Sequence, residues 1–235
     1  DTSFAPVLFD LDGDLKKEII LASQDGQVMA WRENARPVDG FPIELGQSIG
    51  PLAVGHFGQD RTPGIIAAGQ TQAFLLQTKK GQSYRVTQTW TLPASPQPVG
   101  PVVANIDQDD EDEFLIARVG GEALRFNPPA LDYERFSTHQ RLDFGAASSV
   151  SRDGPEVFCA AGQSSLADLN RDGIIEFIHS ARSTDFDQTD YEGPLPRPEF
   201  LIAAWETQGG TTPSAFPIER GFRAQQPALV LDLDR

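Results

Sequence analysis

The sequence predicts an all-β chain, a β-propeller of four-stranded blades, from three observations. Its 21 glycines and 18 prolines punctuate short apolar runs rich in Phe, Val, Ile and Thr, with no stripe of period 3.6 to suggest helices. An acidic loop between two such runs recurs: APVLFDLDGDLKKEIILAS, GPLAVGHFGQDRTPGIIAAG, GPVVANIDQDDEDEFLIARV and SSLADLNRDGIIEFIHSA align without gaps over their central nine residues, and ALVLDLDR begins a fifth copy. With the first loop position marked by Asp10, Gly55, Asn105, Asp168 and Asp232, successive copies lie 45, 50, 63 and 64 residues apart, room for four short strands each.

The single domain, residues 1–235, divides into blades at approximately 1–45, 46–95, 96–160 and 161–222, with the first strand of a fifth at 223–235. In the first blade an apolar strand (PVLF) enters the loop at Asp10, EIILAS leaves it, DGQVMAW forms a hairpin, and FPIE is an outer segment. The fourth blade repeats this ending, so that Trp31 corresponds to Trp205 and Phe41-Pro42-Ile43-Glu44 to Phe216-Pro217-Ile218-Glu219. Pro6, Pro51 and Pro101 each stand four residues before their loop markers, at strand starts where a missing N–H is tolerated. The later blades carry insertions, about Asn127–Gly162 and Ser183–Pro198, expected to be surface decoration. A stacked β-helix would need a shorter repeat.

Three of the loops have the donor spacing of calcium sites. Ca²⁺ takes six to eight oxygens, and a turning loop supplies them from alternate side chains plus a backbone carbonyl. The first loop offers Asp10, Asp12, Asp14 and Glu18 at positions 1, 3, 5 and 9, with the Lys16 carbonyl at position 7. The third offers Asn105, Asp107, Asp109 and Glu113 with the Glu111 carbonyl, and the fourth Asp168, Asn170, Asp172 and Glu176 with the Ile174 carbonyl. Asp232 and Asp234 are the first two ligands of a further site that stops at Arg235, which leads us to expect a portion of a longer protein. Crowding ten carboxylates into three loops with no counterion would raise their pKa values, so three Ca²⁺ ions are expected. In the third loop the extra Asp110, Glu111 and Asp112 side chains are expected to face solvent.

An EF-hand is excluded because position 12 holds Leu21, Ile116 or His179 instead of a bidentate carboxylate, and because the flanks are too short and β-like for helices. Glycine occupies position 6 only at Gly173, with Leu15 and Asp110 elsewhere. The second loop, GHFGQDRTP, lacks the carboxylates and is expected to be metal-free, with Asp60 and Arg61 forming a local ion pair.

The D-x-D-x-D-x-x-x-E loop followed by EIILAS or EFLIA resembles FG-GAP/VCBS repeats, related to the integrin α-subunit propeller, over nearly the full chain. That resemblance implies a seven- or eight-bladed propeller with calcium in hairpin loops on one face, in a secreted, cell-surface or periplasmic setting. It does not fix one function.

A net charge of −15 with no cluster of Lys and Arg argues against a nucleic-acid partner. No apolar run is long enough for membrane insertion, and neither a signal peptide nor a lipidation motif is present. The one cysteine, Cys159 in EVFCAAG, allows no internal disulfide and reads as a buried small hydrophobe. The function expected is an extracellular binding or adhesion module that recognises a partner protein or glycan through propeller loops, without catalysis of its own. The alternatives are a carbohydrate-active lyase or hydrolase, and a structural subunit of a large extracellular assembly. For an enzyme, His56, His139 and His179 are the acid–base candidates, but no G-x-S-x-G, H-E-x-x-H or C-x-x-C motif accompanies them. The acidic aromatic stretch at 185–192 reads as a surface loop, with sugar stacking as its other possible use.

Overall fold

The computed structural model describes residues 4–78, 82–93, 100–118, 122–137, 140–142, 156–183, 200–206 and 218–220. The described residues form β-strands and connections, arranged as four sheets. The first holds β1 (Val7–Phe9), β2 (Glu18–Ala22), β3 (Gln27–Trp31) and β4 (Ile43–Glu44). β5 (Ala53–Phe57), β6 (Thr62–Ala68), β7 (Gln72–Gln77) and β8 (Arg85–Thr91) make the second. The third contains β9 (Val102–Ala104), β10 (Glu113–Arg118), β11 (Glu122–Phe126) and β12 (Glu134–Ser137). In each, spatial order follows chain order, as in an antiparallel meander.

The fourth sheet has five strands: β13 (Gln140–Leu142), β14 (Glu156–Ala167), β15 (Glu176–Ser183), β16 (Phe200–Glu206) and β17 (Ile218–Arg220). It belongs to a second compact unit (118–123 and 136–235), whereas the first two sheets and most of the third form the first unit (1–117 and 124–135). The stretch 127–162 is therefore more than decoration, since β12, β13 and the start of β14 fall within it. β13 is held in place by its ladder with β14, in which Gln140 pairs with Phe158 and Leu142 with Glu156. Cys159 pairs with Arg182 in the β14–β15 ladder. The insertion at 184–198, the stretch 185–192, His139, Asp232 and Asp234 lie outside the described residues.

Ladder register supports the internal repeat. Ile19 pairs with Trp31 and Val28 with Ile43 in the first sheet; Phe177 pairs with Trp205 and Ile202 with Ile218 in the fourth. Ile43-Glu44 and Ile218-Glu219 thus lie in the last strand of their sheets.

One assignment changes. Across the loop, Phe9 pairs with Glu18, Ala104 with Glu113 and Ala167 with Glu176, so the residue before position 1 always opposes position 9. In the second sheet that pair is Gly55 and Gly64. Position 1 of the second loop is therefore His56, not Gly55. The shift arises because the loop has no carboxylate ladder to anchor a sequence alignment, while backbone hydrogen bonds fix the register unambiguously.

In the first three sheets side chains alternate across the strands, and successive faces pack in a repeating sense. Ile20 and Ala22, at positions 11 and 13 of the first sheet, pack in one core with Ile65 and Ala67, at positions 10 and 12 of the second. Ile66 and Ala68, on the other face of the second sheet, pack with Phe114 and Ile116 of the third, capped by an aromatic group in which Trp90 sits edge-on to Phe114 and Phe126. The first strands β1, β5 and β9 lie side by side along this stack. Gly55 permits that approach, because a Cβ there would come within 2.5 Å of Val103 on β9. Ile65 and Phe114 are fully buried, but Ile19 at the same position of the first sheet is 40% exposed and its cross-strand partner Leu8 55%.

Candidate metal centres

Each acidic loop is built around the glutamate at position 9. As the first residue of β2, β10 or β15 it is pinned by the ladder, and its side chain is driven under the loop. Glu18 and Glu113 are 1% exposed and Glu176 fully buried. One carboxylate oxygen accepts a hydrogen bond from the amide at position 2 in every case: Leu11 at 2.8 Å, Ile106 at 2.6 Å and Leu169 at 2.6 Å.

The remaining backbone geometry is shared as well. The carboxylate at position 5 accepts the amide at position 7 in all three loops, from Lys16 to Asp14 (2.8 Å), Glu111 to Asp109 (2.7 Å) and Ile174 to Asp172 (2.8 Å). Position 4 has positive φ throughout, at Gly13 (77°), Gln108 (66°) and Arg171 (61°). Leu15 adopts at position 6 the left-handed conformation that Gly173 adopts in the fourth loop (66° and 87°), so the missing glycine does not change the turn there. Asp10 holds the first loop closed by accepting from the Gly13 and Leu15 amides at 2.7 and 2.9 Å.

Two of these loops gather oxygens around a common point. One carboxylate oxygen from each of Asp10, Asp12 and Glu18 lies within 4.8 Å of the others, and the same holds for Asp107, Asp109 and Glu113. A Ca²⁺ bound at about 2.3–2.6 Å keeps its ligand oxygens within roughly 5 Å of one another. The second oxygens of Glu18 and Glu113, with the Asn105 side-chain oxygen, are buried and have no hydrogen-bond partner. A buried carboxylate oxygen with nothing to neutralise it costs on the order of 1–3 kcal/mol or more. Burial pushes the Glu113 carboxyl up to about 7, and it raises Glu18 too, with the charges of Asp12, Asp14 and Asp10 adding to the effect. These residues fit a hard cation. In the fourth loop Asn170 Nδ2 donates to Asp172 Oδ2 (2.8 Å), while Asp168 accepts the Asp172 and Gly173 amides (3.2 and 2.9 Å).

Ion pairs tie the first loop to the end of β3: Arg32 reaches Asp12 at 3.3 Å, and Lys16 of the loop is tied to Glu33 at 2.8 Å. The second loop behaves differently. Pairing continues through His56–Pro63 and Phe57–Thr62, and the chain turns at Gly58 (φ 75°) with the Arg61 amide on the Gly58 carbonyl at 2.7 Å. Arg61 does not pair with Asp60 as the sequence suggests. Its guanidinium donates to the Asp110 carbonyl at 2.6 Å and lies 4.0 Å from that residue's carboxylate, because the β5–β6 hairpin aims it at the next loop.

Nor does Asp112 simply face solvent: its carboxylate accepts the His56 amide at 2.7 Å, and its amide donates to the His56 carbonyl at 3.1 Å. His56 itself packs against Phe9, with ring centroids 5.2 Å apart. Sequence reasoning missed Asp112 and also Tyr84, which donates its hydroxyl to the Leu11 carbonyl at 2.7 Å. The one hint for Asp112 is an acid at position 8, where the first and fourth loops carry Lys17 and Ile175.

No family model and no curated protein matches the chain. Among solved structures it is similar to a propeller-like protein described as "Crystal structure of BBS1N in complex with ARL6DN, soaked with lead", at 10% identity and a TM-score of 0.54. The match covers 93% of this chain and 57% of that one. At such identity the likeness concerns the fold alone: an all-β chain with several four-stranded antiparallel sheets, similar to a propeller-like neighbour.

Proposed function

We propose that this chain is a calcium-stabilised binding module built from FG-GAP/VCBS-type blades, recognising a partner protein or glycan through its propeller loops. The four sheets are then four blades of a seven- or eight-bladed ring. In support, the first sheet leaves exposed the face that a preceding blade covers in the second and third.

One observation carries the metal assignment: a buried, unpartnered glutamate oxygen recurs at position 9, converging with two aspartates, in both the first and third loops. Asp10, Asp12, Asp14, Glu18 and the Lys16 carbonyl would hold one ion. Asn105, Asp107, Asp109, Glu113 and the Glu111 carbonyl would hold a second, and Asp168, Asn170, Asp172, Glu176 and the Ile174 carbonyl a third. Bound Ca²⁺ neutralises the carboxylates. The chain's own residues do the rest, with the position-9 glutamate fastening the loop to its strand and the position-5 aspartate shaping the turn. Modules that work where calcium is abundant tolerate weak sites of about 10⁻⁴–10⁻³ M, which accords with a secreted, cell-surface or periplasmic setting. A rigid scaffold displaying loop tips such as Leu15, 93% exposed, suits recognition.

Elemental analysis and a thermal melt test this assignment. Ca²⁺ should copurify, and EGTA should lower the melting temperature; for each site held at 100-fold its Kd the loss is about 2.7 kcal/mol. Unchanged melting together with calcium-free protein would overturn it. For the partner, a glycan array probed with the calcium-loaded chain should give binding that EGTA abolishes, and new unsaturated sugar ends would instead indicate a lyase.

A further inference from the structure

We infer that the second blade, which has no metal loop of its own, is the brace that positions the ligands of both flanking metal centres. This rests on the calcium assignment above.

The contacts interleave with the ligands. In the third loop positions 5, 7 and 9 (Asp109, the Glu111 carbonyl and Glu113) are metal donors, and positions 6 and 8 between them are Asp110 and Asp112. Those two are held by the second blade, Asp110 through Arg61 at 2.6 Å and Asp112 through two hydrogen bonds with His56 at 2.7 and 3.1 Å. Holding alternate residues of a short loop segment restrains the residues between them, because the peptide planes they share are rigid. Gly55 makes room for this, since a Cβ there would lie 2.8 Å from the Asp112 carboxylate.

The other side of the blade acts on the first loop. Tyr84, 5% exposed, donates to the Leu11 carbonyl at 2.7 Å. The Leu11 amide in turn holds Glu18 at 2.8 Å, so the phenol steadies the residue that aims a ligand. Burial and the nearby Glu18, Asp12 and Asp10 keep that phenol protonated, as a donor. Outer contacts of this kind change metal affinity by about 10–100-fold.

Calcium titration calorimetry of the full chain tests the brace, with Glu18→Gln and Glu113→Gln identifying the heats of the first and third loops. Asp112→Ala should weaken the third site about tenfold and leave the first unchanged. Tyr84→Phe should do the reverse. Asp112→Asn keeps an oxygen for the His56 amide but removes the charge, so it should bind close to wild type; affinity lost equally in Asp112→Asn would show a Coulombic effect and overturn positioning. Arg61→Ala, at an exposed side chain, gives a second route to the third site if Asp112→Ala does not fold, and it should weaken that site in the same direction. Wild-type binding that none of the variants changes would overturn the brace while leaving the calcium assignment intact. Absence of binding in the wild type would overturn both.

Discussion

The second loop and its acidic neighbours have the same eight residues between equivalent ladder partners, yet they fold differently. In the first, third and fourth sheets pairing stops at the residue before position 1, and the chain opens into a loop around its carboxylates. In the second sheet pairing runs two residues further, to Phe57 and Thr62, and a tight turn closes the hairpin. A zipped hairpin is the default for this length. Keeping it open requires side-chain acceptors to satisfy the freed amides; the glutamate at position 9 and the aspartate at position 5 supply them in all three loops, and the aspartate at position 1 adds to them in the first and fourth. Where those residues are Gly64, His56 and Asp60, only one carboxylate remains and the ladder takes over.

The largest expected effect comes from removing the group that most separates the two loop types. Glu113→Gln should weaken the third site on the order of 100-fold, at the upper end of what outer contacts contribute. In EGTA at pH 8 the same variant should melt a few °C higher than wild type, on the order set by relieving one buried charge. The pH dependence follows from the sign of the shift. Glu113 has a folded pKa raised to about 7 from 4.5, so its contribution is fully present below about pH 4.5 and is lost as pH rises through about 7. The difference between wild type and Glu113→Gln in EGTA should therefore close near pH 4.5 and open toward pH 8. A constant difference across that range would break the assignment of the strain to this carboxyl.

Installing the missing glutamate asks whether one residue interconverts the loops. Gly64→Glu should instead destabilise by about 1–3 kcal/mol without adding a calcium site. A Cβ at Gly64 meets Phe57 at 2.8 Å and Leu75 at 2.9 Å, and the hairpin is already paired. A gain of one calcium in elemental analysis would show that position 9 alone controls the loop.

The smallest effect belongs to the turn. Gly58 has φ 75° with open space around its Cβ position, so Gly58→Ala should lower stability by about 1 kcal/mol through backbone strain alone. The drop in melting temperature should be the same with calcium and with EGTA. A drop that depends on calcium would tie the second turn to the metal centres more closely than its hydrogen bonds suggest.

Much of the fold was legible in the chain. The spacing of Asp10, Asp12, Asp14 and Glu18 identified an acidic loop between two strands, and its recurrence at Asn105 and Asp168 set the repeat. The pairing of Trp31 with Trp205 placed the third strands, and the ladders put both residues at the same register. Periodic features of this kind are local, so composition and spacing record them. The second copy was misplaced by one residue because, with either Gly55 or His56 as the marker, GHFGQDRTPG puts no carboxylate at positions 1, 3 and 9 to choose between them. The fifth strand of the fourth sheet was hidden for a similar reason, since QRL is too short to announce itself without the β14 ladder beside it.

By itself, then, the sequence determined the all-β class, the recurrence of the acidic loop and the spacing of its candidate oxygen donors, because these follow from residue type and short spacing. Only the tertiary structure decided which oxygens converge, that Glu18 and Glu113 are buried with one oxygen unmatched, and that Asp112, Arg61 and Tyr84 join one sheet to another. The reason is physical: Asp112 and His56 are 56 residues apart, and Tyr84 and Leu11 are 73. Hydrogen bonds over such separations exist only after the cores of Ile20 with Ile65 and of Ile66 with Phe114 have brought the sheets face to face.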